Sequence, residues 1–184
     1  TIDFLKASRQ QMKKYRRDIQ MIFQDPYASL DPRMTVFDII SEPLRYNTNL
    51  SRREIEQAVD KIAEQVGLNK AFLRRYPHAF SGGQRQRILI ARALAARPPV
   101  LVLDSADSAL DYRTAADLHA AIRRDCPGTT LVVISERIAS LKDADRILVM
   151  EEGRITDQGT HADLLARCER YRHMAELQMG GGAL

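Results

Sequence analysis

The chain has 184 residues, with 28 Lys plus Arg against 24 Asp plus Glu, a formal charge of +4 and 45% hydrophobic residues, so it is long enough for one compact domain or two small ones with a real core. Acidic residues are mixed in along the whole length, which argues against wholesale coating of nucleic acid, and the longest apolar runs, Val100 to Leu103 and Leu131 to Ile134, fall far below the roughly 20 residues of a membrane-spanning helix. Cys126 and Cys168 are far apart without a CxxC pairing and no charged-then-apolar leader opens the chain, so a disulfide framework, a zinc site and secretion are not suggested, and a reducing, cytoplasmic setting is expected.

In chain order, the basic run Lys13-Lys14-Tyr15-Arg16-Arg17 reads as a solvated face, and Met21-Ile22-Phe23 as a first short strand. Residues 41 to 97 have a helical accent. Ser51-Arg52-Arg53-Glu54 has the spacing of a capping box, and Ile55, Val59, Ile62 and Val66 recur at helical intervals until Gly67 ends the pattern. Phe72, Tyr46 and Tyr76 are expected to fill the core of this helical part. A second helix should begin at Ser81-Gly82-Gly83 and run through Ile88, Ala91 and Ala95 to Pro98-Pro99. Strands are then expected at Val100 to Leu103, Leu131 to Ile134 and Ile147 to Met150, an alternation that reads as β/α with a parallel sheet buried on both faces. Gly153 and Gly159 punctuate a hairpin-like stretch, after which Thr160 and Asp163 can cap one terminal helix holding Leu164, Leu165, Tyr171 and Leu177. His78, His119, His161 and His173 lack metal-ligand spacing and are assigned surface or capping roles.

The most specific string is Ser81-Gly82-Gly83-Gln84-Arg85-Gln86-Arg87 at a helix start. Two glycines allow close backbone approach, free N–H groups point outward and the Ser81 hydroxyl can donate, which suits a phosphate; a capped helix after a flexible turn is the competing account. Downstream, Val100-Leu101-Val102-Leu103-Asp104 is an apolar strand ending in a carboxylate. Ligands gather at the carboxyl ends of such strands, so Asp104 is placed to hold a magnesium ion through water, unless it merely starts a turn.

An SGGQ-headed helix, a strand-terminal Asp104 and the following Ser108-Ala109-Leu110-Asp111 together resemble the nucleotide-binding domain of ABC transporters. The resemblance covers nearly the whole chain. It implies an α/β fold, the P-loop NTPase (RecA-like) parallel sheet lacking its N-terminal strands, with an inserted α-helical subdomain. The implied divisions are 1–27 and 98–184 for the body and 28–97 for the helical subdomain. It makes Ser81, Gly82, Gly83 and Gln84 the signature motif that meets the γ-phosphate of ATP on the opposite domain of a head-to-tail dimer. Asp104 becomes the Walker B aspartate, Ser108 to Asp111 the D-loop, and Gln24 the Q-loop glutamine that senses Mg2+ and nucleotide. The stretch from Phe23 to Thr35 and Tyr76-Pro77-His78-Ala79-Phe80 are similar to oligopeptide and dipeptide importer ATPases. Pro127-Gly128-Thr129-Thr130, Ile134 to Ile138, Gly159-Thr160-His161 and the closing Cys168 to Arg172 with Gln178 are similar to exporter ATPase domains, the two accents meeting between Gln84 and Val100.

Three departures from the family pattern stand out. No G-x-x-x-x-G-K-[ST] occurs, and Thr1 corresponds to a segment after the phosphate-binding helix, so tight ATP binding in cis is not expected. Ser105 stands where active members carry the glutamate that polarises water, and Glu136 where they carry the switch histidine. A neutral hydroxyl is no general base, and an ionised carboxylate repels a polyanion. Asp107 is too far along the loop to take the place of the missing base. The resemblance therefore implies a hydrolysis-deficient ATP-binding subunit working with ATP and Mg2+ beside a second nucleotide-binding domain. Its other partner would be a transmembrane permease at the inner face of the membrane, with no nucleic acid. The alternative is a non-catalytic interaction or regulatory module of the same surface.

Overall fold

The computed structural model describes residues 6–25, 29–106 and 110–179. Two compact units divide the chain, residues 1–134 and 135–184.

The first unit contains helix α1 (Arg9–Asp18), strand β1 (Ile19–Ile22), helices α2 (Val36–Asn47), α3 (Arg52–Gln65) and α4 (Gly82–Ala95), strand β2 (Val100–Asp104), helix α5 (Tyr112–Asp125) and strand β3 (Thr130–Ile134). The strands form a parallel sheet in the order β1-β2-β3, with Ile22 beside Leu103 and Asp104 beside Ile134. The Ser51–Glu54 capping box forms as its spacing predicts: the Ser51 hydroxyl accepts from the Glu54 N–H and the Glu54 carboxylate accepts from the Ser51 N–H. α3 ends before Gly67, whose φ of +67 is the left-handed geometry glycine tolerates. α4 is apolar nearly all round after its first turn, and Ile88, Ile90 and Ala91 are fully buried between α2, α3 and the sheet.

The sheet is not buried on both faces, contrary to the sequence expectation. Ile22, Leu101 and Leu103 face the core, whereas Ile19 (37%), Met21 (44%), Val132 (42%) and Ile134 (49%) line an exposed face. An apolar run of five residues meets the requirement of either a one-sided or a two-sided strand, so its composition could not decide.

The expected fourth strand also has a different partner. In the second unit β4 (Ile147–Glu151) pairs antiparallel with β5 (Arg154–Gly159), with a bulge between Val149 and Met150. Glu152 and Gly153 both have positive φ, 48 and 75, the pattern of a two-residue type I′ hairpin turn. So short a connection can only return the chain antiparallel. The remaining elements are the single-turn α6 (Ile138–Leu141), α7 (His161–Arg167) and α8 (Glu169–Met179). The one terminal helix read from the sequence is thus two, because Cys168 is extended (φ −96, ψ 102). Leu164, Tyr171 and Ala175 close a small core with Ile138, Ile147 and Val149, and the His161 Nδ1 meets the Tyr171 hydroxyl at 2.8 Å.

Tyr46 is 83% exposed at the end of α2, and Tyr76 stacks on His78 at the surface, so neither fills the helical core; only Phe72 packs against it. His119, expected outside, is buried at 3% exposure.

Helix caps give the chain an acid-labile component. The Thr35 hydroxyl holds the Asp38 carboxyl below its ordinary 3.8, the Thr114 hydroxyl does so for Asp111, and the Thr160 hydroxyl for Asp163. A carboxylate with a lowered folded pKa stabilises the fold above its unfolded value and loses that contribution as pH falls through the folded one. Urea midpoints should therefore hold down to about pH 4 and drop progressively at lower pH. A midpoint unchanged at pH 3 would contradict the caps.

Candidate functional site

The N-terminus of α4 is built as a capping box. Ser81 is extended (φ −66, ψ 165), its hydroxyl accepts from the Gln84 N–H at 3.4 Å, and the Gln84 side-chain oxygen accepts from the Ser81 N–H at 3.0 Å. The hydroxyl proton remains available to an outside acceptor, since a serine oxygen can accept and donate together. Ser81 is exposed, and among the described residues a Cβ added at Gly82 would meet nothing within 4 Å, so the backbone there is approachable.

Side chains beyond the SGGQ string lock this helix start to its surroundings. Arg85 donates from Nε to the Pro77 carbonyl at 2.9 Å. Arg87 donates to the Gly67 carbonyl at 2.9 Å and to the Thr114 hydroxyl at 3.4 Å. Thr114 in turn donates to the Asp111 carboxylate at 2.7 Å, and Asp111 caps α5 by accepting from the Thr114 N–H. Asp111 is thereby joined through Thr114 to the helix headed by Ser81. Sequence reading missed this relay; its signal was the Asp-x-x-Thr cap spacing at Asp111 and Thr114.

Gln86 is 1% exposed, and among the described residues neither amide atom has a hydrogen-bond partner. An unpaired buried amide costs about 1–3 kcal/mol. Gln86→Leu, of similar volume, should therefore raise the stability of the isolated chain by about that amount in urea unfolding; a loss would show that the amide is satisfied in solution.

The other predicted positions lie at the sheet. Asp104 ends β2, half-buried, and Gln24 follows β1, exposed, so both sit at the carboxyl edge of adjacent strands. Ser105 donates its N–H to the Ile134 carbonyl at 2.9 Å and then turns the chain with φ of 50, a left-handed backbone for a non-glycine residue. Among the described residues no hydrogen bond or ion pair joins Ser81 to Gln24 or Asp104. Leu110 is buried, while Ser108 and Ala109, with Asp107, lie outside the described residues. Glu136 belongs to the second unit, where its carbonyl accepts from the Gln178 amide at 2.7 Å.

A parallel sheet whose carboxyl edge carries Asp104, and a buried helix headed by an exposed Ser-Gly-Gly-Gln, define the ATP-binding cassette class of P-loop NTPase folds. The ABC transporter profile matches residues 1–108, and the chain belongs to that family. Among curated relatives, it is 46% identical over 161 residues to the Di/tripeptide transport ATP-binding protein DppF of Pseudomonas aeruginosa, covering 83% of this chain and 48% of that one. It is 43% identical over 167 residues to the Oligopeptide transport ATP-binding protein OppF of Salmonella typhimurium, covering 88% and 50%. The chain thus spans about half the length of these relatives, and the alignments run on past the Gln84–Val100 interval. Among solved structures, a dimeric ATP-binding cassette in a post-hydrolysis state bound to ADP and Pi superposes with a TM-score of 0.77 at 27% identity, over 86% of this chain and 70% of that one. A bacterial Atm1-family ABC exporter with ATP bound gives 0.77 at 30% identity, over 95% and 30%. No helix among the described residues is long and apolar enough to cross a membrane.

Proposed function

We propose that this chain is a nucleotide-binding part of an ABC transporter ATP-binding subunit that presents Ser81, Gly82, Gly83 and Gln84 to the γ-phosphate of ATP held by a second nucleotide-binding domain. The observation that carries the reading is the exposed, internally capped start of α4, where among the described residues nothing lies within 4 Å of an added Gly82 Cβ. Backbone N–H groups and the positive end of the helix dipole there favour an anion.

Asp104 and Gln24 offer one carboxylate and one amide oxygen, hard donors suited to Mg2+, an ion that keeps its other ligands from water and phosphate. Bound there, the ion would neutralise phosphate charge. Ser105 supplies no base to activate water, and Glu136 no donor to a phosphate, so hydrolysis at this chain's own Walker B position is deficient in this reading. The loss of a positioned base costs on the order of 10²- to 10⁴-fold. The helical part of the first unit and the segment around Gln24 would face a transmembrane permease at the cytoplasmic side of the membrane.

The test is sedimentation of the chain with a complete dipeptide-import ATPase cassette, with and without Mg-ATP. Association that requires ATP is expected. No association overturns the reading. Equal association without nucleotide replaces it by the second one, a non-catalytic interaction module, which the residues at 105 and 136 favour.

A further inference from the structure

We propose that Gln178, near the end of α8, is a positioning residue that clamps the loop carrying residue 136, so that the last helix sets the backbone at the switch position. Its amide makes two hydrogen bonds to that loop. Oε1 accepts from the Ile138 N–H at 2.8 Å, and Nε2 donates to the Glu136 carbonyl at 2.7 Å. A carbonyl at one residue and an N–H two residues on are the groups a parallel neighbouring strand would bind, so one side chain stands in for a strand flanking Arg137. The backbone fixes the orientation of the amide, because a carbonyl needs a donor and an N–H an acceptor.

The loop needs such a clamp. α6 is a single turn, and the N–H of its first residue, Ile138, is one of those that no carbonyl within a helix can reach. Gln178 supplies an acceptor from 40 residues away, while the Ser135 hydroxyl accepts from the Arg137 N–H at 3.1 Å. α8 is held in turn by Tyr171 and Ala175, 3% and 4% exposed in the core that also contains Ile138. The order of the Glu136 peptide therefore depends on α8 being docked. The inference goes beyond the proposed function and does not rest on it.

The test has two arms on the full chain. Amide hydrogen exchange should show Ile138 exchanging about tenfold faster in Gln178→Ala, as expected for the loss of a hydrogen bond of ordinary strength, with the Leu164 amide unchanged. Gln178→Glu, which keeps the acceptor but not the donor, should fall between. In the second arm, Glu136→His should show the same Ile138 exchange as the parent and the same increase of about tenfold when combined with Gln178→Ala, because the clamp holds the backbone at residue 136 and not its side chain. An unaltered Ile138 exchange rate in Gln178→Ala overturns the clamp, and Ile138 protection that changes with the side chain at 136 overturns its being a backbone device. Both arms decide the clamp whether or not the proposed function holds.

Discussion

Ser81→Glu is expected to weaken ATP-dependent association with a complete cassette by about 100-fold or more. Two like charges about 4 Å apart repel by about 4 kcal/mol at an effective dielectric near 20, and solvent at an exposed helix start reduces this only in part. The fold should suffer little. A glutamate at the N-cap loses the serine cap but complements the helix dipole, so the net cost in stability should stay within about 1 kcal/mol. Ser81→Ala separates charge from capping. It removes the acceptor for the Gln84 N–H and the donor hydroxyl but adds no charge, so a loss of about fivefold is expected. Equal affinities for the parent and Ser81→Glu would mean that no phosphate approaches this helix.

Leu101→Ala is expected to cost about 2–5 kcal/mol in urea unfolding. Leu101 is fully buried in the central strand, between Gln20 and Leu131 in the register of its neighbours. Deleting three carbons there forfeits transfer energy and leaves a cavity that a strand bonded on both sides cannot collapse into. Against a typical total of about 5–15 kcal/mol, that loss is a large fraction of the whole. Val132→Ala is the internal control. It lies in the same sheet but on the open face, so its cost should stay within about 0.5 kcal/mol. Similar costs at the two positions would contradict the one-sided sheet.

What the sequence made legible was what local chemistry determines. The Ser51–Glu54 box, the start of α4 at Ser81 and the strand ending at Asp104 depend on spacings within a few residues, and all three form. The misreadings depend on contacts distant in sequence. β4 has the composition of a buried parallel strand, but the turn at Glu152-Gly153 chooses its partner. Tyr46 has the character of a core ring, yet its place at the end of α2 leaves it in solvent. The helices α1, α2 and α5 escaped notice because polar residues interrupt their apolar positions, and α2 carries Pro43 inside it. At the site, the SGGQ string and Asp104 were readable from their motif. The path from Arg87 through Thr114 to Asp111 was not, because Arg87 reaches a residue 27 positions away.

The open face bearing Ile19, Met21, Val132 and Ile134 has a practical corollary for handling the molecule. Mutual repulsion between copies comes from a formal charge of only +4, and its range shrinks to about 8 Å at physiological ionic strength. Apolar adhesion is not screened in this way, and salting-out anions strengthen it. Dilute buffers of low ionic strength thus favour a monodisperse sample, whereas sulfate would drive it toward clumping.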